Sequence, residues 1–194
     1  MPDRHFLLVQ DDVRTDTDFS IDGLAGNGRL DIGCRFLNAC LFTSYELRRD
    51  VTVHLLFRGE PDPPLHLAFR GKKISGLHPD ERSIAGYIKK NIGSFRRRKV
   101  SANTGVFINQ DALTDVVEKV DATPVMMHEE GDDIDDVTLP DTPLFVLGDH
   151  NGLQDADVET LRGAGAIPVS LGSTAYQAQQ VASYLNILLD HRGL

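Results

Sequence analysis

The sequence predicts an α/β protein in which a mostly parallel sheet is flanked by helices. Short apolar runs rich in β-branched residues alternate with longer segments in which apolar residues recur at helical spacing. Glycine, proline and aspartate mark the turns between them. The chain has 194 residues, of which 41% are hydrophobic, and this is enough for the core of one domain. We therefore expect a single domain over residues 1–194.

The first hundred residues predict three strands and two helices. Residues 11–28 are polar and glycine-rich, which predicts a loop, and the proline-rich turn Gly59–Pro64 predicts a hairpin between two strands. Pro79 favours the first turn of a helix. The predicted elements are a strand over Arg4–Gln10, a helix over Arg29–Thr43, strands over Val51–Phe57 and Leu65–Phe69, and a helix over Pro79–Phe95.

The second half continues the alternation. The predicted elements are a strand over Val106–Asn109, a helix over Ala112–Val120, a strand over Pro124–His128, an acidic loop over Gly131–Asp136, a strand over Leu144–Leu147, a helix over Asp155–Arg162, a strand over Ile167–Leu171 and a helix over Thr174–Leu189. Strand, loop and helix repeated in this way favour a parallel sheet whose ligand-binding loops follow the carboxyl ends of the strands.

Several classes of protein are disfavoured. No run of 18 apolar residues predicts a membrane span, and the first residues lack a signal peptide, so we expect a cytoplasmic protein. Cys34 and Cys40 fit neither a zinc nor a redox motif and are expected to be buried. His54 and His66 lack a third ligand, and the aspartates of 132–136 lack the order of a calcium loop, so we predict no metal site.

The charge is unevenly distributed. The net charge is −9, but residues 1–100 carry 17 Lys+Arg against 13 Asp+Glu, whereas residues 101–194 carry 3 against 16. A polyanion would therefore be attracted to the first half only, which we interpret as an RNA-facing half. Aspartate also outnumbers glutamate by 22 to 7, which favours the hypothesis of a halophilic protein.

Three glycine-containing segments are candidate ligand loops. Gly23–Gly28 does not have the dinucleotide-binding spacing, and a flexible loop is the better interpretation. Gly148–Gly152 directly follows an apolar strand, where a glycine lets the backbone approach a flat ligand, although a plain connecting loop has the same pattern. Val169–Ser173 precedes the last helix, and its pattern also fits an ordinary helix cap.

Several short segments in a fixed order resemble one known family, and together they extend over nearly the whole chain. The segments are Gly28–Asp31, Tyr45–Val51, Gly59–Pro64, His78–Arg82, Leu147–His150 and Ser170–Leu171. They resemble the archaeal tRNA (pseudouridine-54-N1)-methyltransferase family, TrmY, of the SPOUT superfamily. The resemblance implies a C-terminal trefoil knot, an obligate homodimer and S-adenosylmethionine as the methyl donor.

The resemblance also implies a cofactor site on three loops near the knot. The implied cofactor-binding residues are Met127, His128, Gly148, Asp149, Ser170, Leu171, Gly172, Ser173 and Val181. The chain departs from the family pattern at three places. Met127 replaces a frequent leucine, Val181 replaces a frequent cysteine, and residues 172–174 are Gly-Ser-Thr where Ser-Pro-Leu is more usual.

Methylation at N1 of pseudouridine needs an aligned methyl group and a route for the N1 proton. Asp62 and Asp80 are the candidate proton acceptors, although Asp80 also fits a helix cap. Arg29, Arg49 and Arg82 are candidates for stabilising negative charge, and with Arg48 they are candidate tRNA-binding residues. Two alternatives remain open, which are the same chemistry on ribosomal RNA and a non-catalytic RNA-binding protein of this fold.

Overall fold

The computed structural model describes residues 3–97 and 105–193, and within them one sheet of seven strands contains segments from both halves of the chain. The elements are β1 (Arg4–Arg14), a short 3-10 helix (Leu24–Gly26), α1 (Leu30–Leu41), β2 (Val51–Gly59), β3 (Leu65–Arg70), α2 (Glu81–Arg96), β4 (Val106–Asn109), α3 (Leu113–Lys119), β5 (Thr123–Asp133), β6 (Pro143–Gly148), α4 (Asp155–Gly163), β7 (Ile167–Ser170) and α5 (Ala178–Arg192). The strand order is β4-β3-β2-β1-β6-β5-β7, and only the pairs β2/β3 and β3/β4 are antiparallel.

The predicted α/β class and the β2/β3 hairpin are confirmed, but three element boundaries were wrong. β1 extends to Arg14 because that residue pairs with Gly59 beyond an irregularity, so part of the predicted loop 11–28 is strand. β5 extends to Asp133, so the predicted acidic loop begins as strand. The last helix begins at Ala178 rather than Thr174, after a loop in which Gly172 has a φ of 89°.

Alternating side chains of β1 divide the core into two layers. Phe6 and Leu8 pack on the face covered by α1, α2 and α5, whereas Leu7 and Val9 pack on the face covered by α3 and α4. Cys34 lies in the first layer as expected, and burial raises its thiol pKa to about 12. The described helices include none that is long and apolar enough to span a membrane.

β5 wraps around the end of β7. Val169 pairs with Met127 and again with Asp132, both in parallel. Because a strand residue has one neighbour on each side, β7 lies between two arms of β5, and residues 128–131 connect the arms. Gly131 makes the crossing, since a Cβ on it would lie 2.5 Å from the backbone nitrogen of Val169. A tight crossing of two backbones is therefore built into this corner of the sheet.

Three histidines form a hydrogen-bonded chain across the other side of the sheet. The distances are 3.1 Å from His5 Nδ1 to His54 Nε2, 2.9 Å from His54 Nδ1 to His66 Nε2, and 3.1 Å from His66 Nδ1 to Asn109 Oδ1. Asn109 Oδ1 also accepts the N–H of Asp111, so it is an acceptor. Each histidine must then donate from Nδ1, and His54 and His66, which accept at Nε2, must be neutral in the same tautomer. Burial, the largest cause, lowers the pKa of all three.

Candidate cofactor site at the carboxyl ends of the strands

A cavity of about 220 Å³ opens at the carboxyl ends of β5 and β7. It brings together seven of the nine residues that the sequence implied for the cofactor. Its lining consists of Met127, His128, Glu129, Val169, Ser170, Leu171, Gly172, Ser173, Thr174, Ala175, Tyr176 and Val181. Parallel strands place these loops at one edge of the sheet, where α/β proteins usually bind small ligands.

Ser170 shapes the loop that follows β7. Its hydroxyl accepts the N–H of Gly172 at 3.1 Å and lies 3.3 Å from the Gly172 carbonyl oxygen, to which it donates. Gly172 takes the left-handed conformation that favours glycine, and a Cβ there would meet open space. The side chains beyond it, up to Tyr176, are thereby placed along the cavity.

Gly148 and Asp149 lie at the same edge but outside the lining of this cavity. Val146 pairs with Met126, so Gly148 stands level with His128 on the neighbouring strand. A Cβ on Gly148 would lie 2.0 Å from the carbonyl carbon of Gly152, which explains why glycine is needed at this turn. The Asp149 side chain is only 1% exposed, and its Oδ2 is buried without a hydrogen-bond partner among the described residues.

The chemistry of this edge fits an adenosyl-sulfonium cofactor. The small cavity adjoins a second one of about 400 Å³, and the two share Leu171, Tyr176 and Val181. Together they fall within the range of small-molecule sites, and apolar walls beside hydroxyl and backbone polar groups suit a ring system with a ribose. The orphaned carboxylate oxygen of Asp149 adds a buried acceptor, which a ligand hydroxyl or amine would satisfy.

Arg29 stands beside this edge in a fixed orientation. Its backbone φ is 63°, the one left-handed value among the described residues other than glycine. Its guanidinium donates to both carboxylate oxygens of Asp31 at 3.0 Å, and Arg35 also contacts Asp31. Burial alone raises the Asp31 pKa, but the two arginines outweigh it and hold that pKa below its ordinary value. Asp31 and the more distant Asp149 help to raise the pKa of Arg29.

The two candidate proton acceptors lie in different surroundings. Asp80 is the N-cap of α2, since its carboxylate accepts the N–H of Ser83 at 2.8 Å, and the hydrogen bonds from Ser83 lower its pKa. Asp62 lies on the β2–β3 turn, half exposed, where its Oδ2 accepts from Arg96 and, at 3.1 Å, from Gln110. Three strand spacings separate β2 from β5, or about 14 Å, so Asp62 does not line the cavity of its own chain.

The other predicted tRNA-binding arginines are engaged within the chain. Arg48 donates to both carboxylate oxygens of Asp190, at 2.9 and 2.5 Å. Arg49 donates to the carbonyl oxygens of Gly71 and Ile74 at 2.8 and 3.1 Å. Arg82 pairs with Asp22 on the surface, and both side chains are about two-thirds exposed. None of these three arginines shares the Asp31 carboxylate that orients Arg29, and their role toward RNA stays a prediction.

Two features of the site escaped the sequence interpretation. Tyr176 lines both cavities, but the sequence interpretation placed it inside the helix predicted over Thr174–Leu189 rather than in the loop before α5. Gln10 and Asn27 are buried polar residues with unpaired side-chain atoms, and Gln10 Nε2 donates to the Arg29 carbonyl at 3.1 Å. A glutamine that ends an apolar strand could have been marked as a site residue, because burying it without partners is costly.

The seven-stranded α/β architecture has a solved counterpart. It matches the crystal structure of Archaeoglobus fulgidus Nep1 bound to S-adenosylhomocysteine with a TM-score of 0.67, over 100% of both chains and at 17% identity. Residues 3–194 match the model of a family described as SAM-dependent RNA methyltransferases. The chain belongs to this family.

Two relatives with a named activity are similar to this chain over almost its full length. A tRNA (pseudouridine(54)-N(1))-methyltransferase from Thermococcus kodakarensis is 39% identical, and the alignment covers 96% of this chain and 98% of the relative. An enzyme of the same name from Haloferax volcanii is 35% identical, with 98% of both chains covered. Family membership therefore extends over almost the full length of the chain.

Proposed function

We propose that this protein transfers a methyl group from S-adenosylmethionine to N1 of pseudouridine 54 in tRNA. The observation that carries the proposal is the near full-length similarity to relatives named for this reaction. It is supported by a cavity at the sheet edge where the sequence resemblance placed the cofactor loops. The basic first half and the absence of a membrane-spanning helix among the described residues are compatible with a cytoplasmic enzyme that acts on tRNA.

The cofactor supplies an activated methyl group on a sulfonium, and the chain must bind and orient it. In our proposal Met127, Leu171 and Val181 provide the apolar walls of its site. Ser170 maintains the shape of the loop through its hydrogen bonds with Gly172, and Asp149 supplies a buried acceptor. Because the methyl group of this donor is already activated, holding it in line with the attacking nitrogen can supply much of the rate enhancement.

Asp62 is the better candidate for the proton acceptor. The Asp80 carboxylate is committed to capping α2, whereas the Asp62 carboxylate is half exposed and receives hydrogen bonds from two side chains. Because Asp62 lies away from the cavity of its own chain, this role requires the cavity of a second copy. Arg29, oriented by Asp31, is positioned to stabilise negative charge on the target ring.

The proposal includes a trefoil knot and a homodimer. The two arms of β5 around β7 support the knot, because the chain passes around a strand that follows it in sequence. The outer face of α5 supports the dimer, because Tyr184 and Ile187 are 41% and 55% exposed there and Tyr176 stands beside them. A second copy would cover these apolar side chains.

Nucleoside mass spectrometry tests the proposed reaction. Purified protein and S-adenosylmethionine are incubated with a tRNA that contains pseudouridine 54, and we expect 1-methylpseudouridine at that position only. Ribosomal RNA with pseudouridine serves as the competing substrate, and preferential methylation of it would favour the first alternative. If calorimetry detected no cofactor binding and neither RNA were methylated, the chain would be a non-catalytic member of the family and the proposal would be wrong.

A further inference from the structure

Most basic side chains of this acidic protein already have a partner. Among the residues that the structure describes, nearly every arginine and lysine donates to a carboxylate or to a backbone carbonyl oxygen. Four have neither an ion pair nor a side-chain hydrogen bond, and three of these fall within four consecutive positions. The four are Arg70, Lys72, Lys73 and Lys90. Unpaired cations concentrated in one turn of a chain with a net charge of −9 need an explanation.

The turn that carries the three cations is rigid. The Arg70 N–H donates to the Gly105 carbonyl and the Gly71 N–H to the Val51 carbonyl, both at 2.9 Å. Arg49, which the sequence analysis proposed as a tRNA-binding residue, donates hydrogen bonds to the Gly71 and Ile74 carbonyl oxygens. Its role here is to hold the turn in place.

The turn also requires glycines and an apolar anchor. A Cβ on Gly71 would lie 2.1 Å from the Arg48 carbonyl oxygen, and Gly105 has a left-handed φ of 76°. Ile74 is 3% exposed and fixes the end of the turn in the core. The exposed cations therefore project from a backbone that loses little freedom when a ligand binds, and such preorganisation favours affinity.

An exposed aromatic ring orients two of the cations. Phe107 of the edge strand β4 is 41% exposed. The Arg70 guanidinium carbon lies 4.1 Å from the centre of this ring, and the Lys73 ammonium lies 5.7 Å from it. Cation–π attraction holds both groups above the ring without neutralising their charge. The N–H groups therefore remain available to an external anion.

The position of this cluster decides which part of an RNA it can reach. Arg70 ends β3, which is antiparallel to β2, so the cluster lies at the amino-terminal edge of the parallel strands. The cofactor cavity lies toward the opposite edge, about 10 Å further along the strands and four strand spacings, or about 19 Å, across the sheet. Nucleotides beside the target base cannot occupy both places.

We propose that Arg70, Lys72 and Lys73, supported by Phe107, form a docking surface for tRNA backbone phosphates outside the hairpin that contains position 54. The inference rests on the proposed tRNA substrate and adds a second area of contact remote from the chemistry. Lysine and arginine on a rigid turn bind phosphates without reading sequence, so the surface adds affinity and register rather than base specificity.

The test compares Lys72→Ala/Lys73→Ala with the wild-type enzyme on two RNAs, full-length tRNA and the isolated hairpin that contains pseudouridine 54. Both lysines are exposed, and the contact that Lys73→Ala removes is the one with the Phe107 ring. We expect the dissociation constant for full-length tRNA to rise roughly tenfold, and the slope of log K against log salt to become shallower by about 1 per lysine. Affinity for the hairpin, affinity for S-adenosylmethionine and the single-turnover rate at saturating RNA should not change.

Lys72→Ala and Lys73→Ala are also measured singly, and Lys90→Ala is their matched control, because Lys90 is an exposed, unpaired lysine on α2 rather than on this turn. The proposal is overturned if the double variant binds full-length tRNA as the wild type does, if it loses affinity equally for the hairpin, or if Lys90→Ala has as large an effect as either single variant. If the wild-type enzyme itself neither bound nor methylated tRNA, the proposed function would fail, and the docking surface would fail with it.

Discussion

At the scale of single residues, Gly131 controls how closely β5 crosses β7. We expect Gly131→Ala to lower the free energy of unfolding by about 1–3 kcal/mol and to weaken S-adenosylmethionine binding, because the new Cβ would press on the Val169 backbone. Gly163→Ala is the control, since a Cβ at the end of α4 meets open space and alanine favours helix. Chemical denaturation and calorimetry measure the two effects. Equal stability of the two variants would contradict the described crossing.

Substitutions at Asp62 and Asp80 distinguish the two candidate proton acceptors. We expect Asp62→Asn to lower the single-turnover methylation rate by about 10²-fold or more, because asparagine cannot take up the N1 proton. Asp80→Asn should keep the wild-type rate, because asparagine caps a helix as well as aspartate does. Asp80→Ala should lower thermal stability without a specific loss of rate. Wild-type turnover by Asp62→Asn would remove Asp62 from the mechanism.

Sequence patterns predicted individual residues well where the cause is local. The burial of Cys34 and the capping role open to Asp80 both follow from short-range rules. The requirement for glycine at position 131 depends on a backbone distant in sequence. The ion pair between Arg48 and Asp190 likewise depends on the packing of α5 beside the start of β1, and no local sequence pattern indicates that packing.

At the scale of elements, the histidine chain links four strands and makes stability depend on pH. All three histidines have a lowered pKa in the folded state, so below about pH 6.5 the unfolded chain binds protons that the folded chain does not. The stabilisation is complete above pH 6.5 and is lost as the pH falls below it. We expect the free energy of unfolding to fall between pH 7 and pH 5, by up to about 1.4 kcal/mol per pH unit for each histidine.

Denaturant unfolding at several pH values measures this dependence, and His5→Gln is the informative variant. His5 is the least buried of the three, and a glutamine amide can still donate to His54 Nε2. The plot of the free energy of unfolding against pH should be less steep for His5→Gln than for the wild type, because one histidine fewer takes up a proton on unfolding. Curves that stayed flat between pH 7 and pH 5, or parallel curves for the two proteins, would contradict the assigned chain of neutral histidines.

Periodicity located the helices and the buried strands, but it did not locate the second arm of β5. Residues 129–133 are acidic or glycine, and no alternation of apolar residues marks them as strand. They pair with β7 because the crossing at Gly131 places them there, and their side chains face solvent. Strand formation here is a consequence of tertiary structure, which explains why the sequence favoured a loop.

At the scale of the whole molecule, the acidic surface of the second half predicts a response to salt. Residues 101–194 carry 16 acidic groups against 3 basic ones, and screening of their mutual repulsion favours the compact state. We expect the thermal unfolding midpoint to rise between 0.2 and 2 M KCl. Differential scanning fluorimetry measures it, with the neutral osmolyte sucrose as a control. A midpoint independent of KCl would contradict the halophilic hypothesis.

The predicted parallel sheet was enough to expect that the proposed cofactor loops lie at one edge. The order of the strands could not be predicted from the sequence. β1 lies between β2 and β6, so the centre of the sheet joins segments that are far apart along the chain. Long connections such as residues 42–50 and 134–142 have no pattern that fixes which strands become neighbours. The sequence could therefore mark Asp62 as a candidate proton acceptor but could not show that two strands stand between β2 and β5.

Tyr176 has a consequence for how the enzyme would respond to its own concentration. Tyr176 lines both the proposed cofactor cavity and the cavity beside Tyr184 on the exposed face of α5. In the proposed homodimer, a ligand that orders this ring would change the surface offered to the second copy. Thermodynamic reciprocity would then require that association of the two copies change the affinity for the ligand by the same factor. Occupancy measured at nanomolar protein would differ from occupancy at micromolar protein, even at one fixed level of methyl donor.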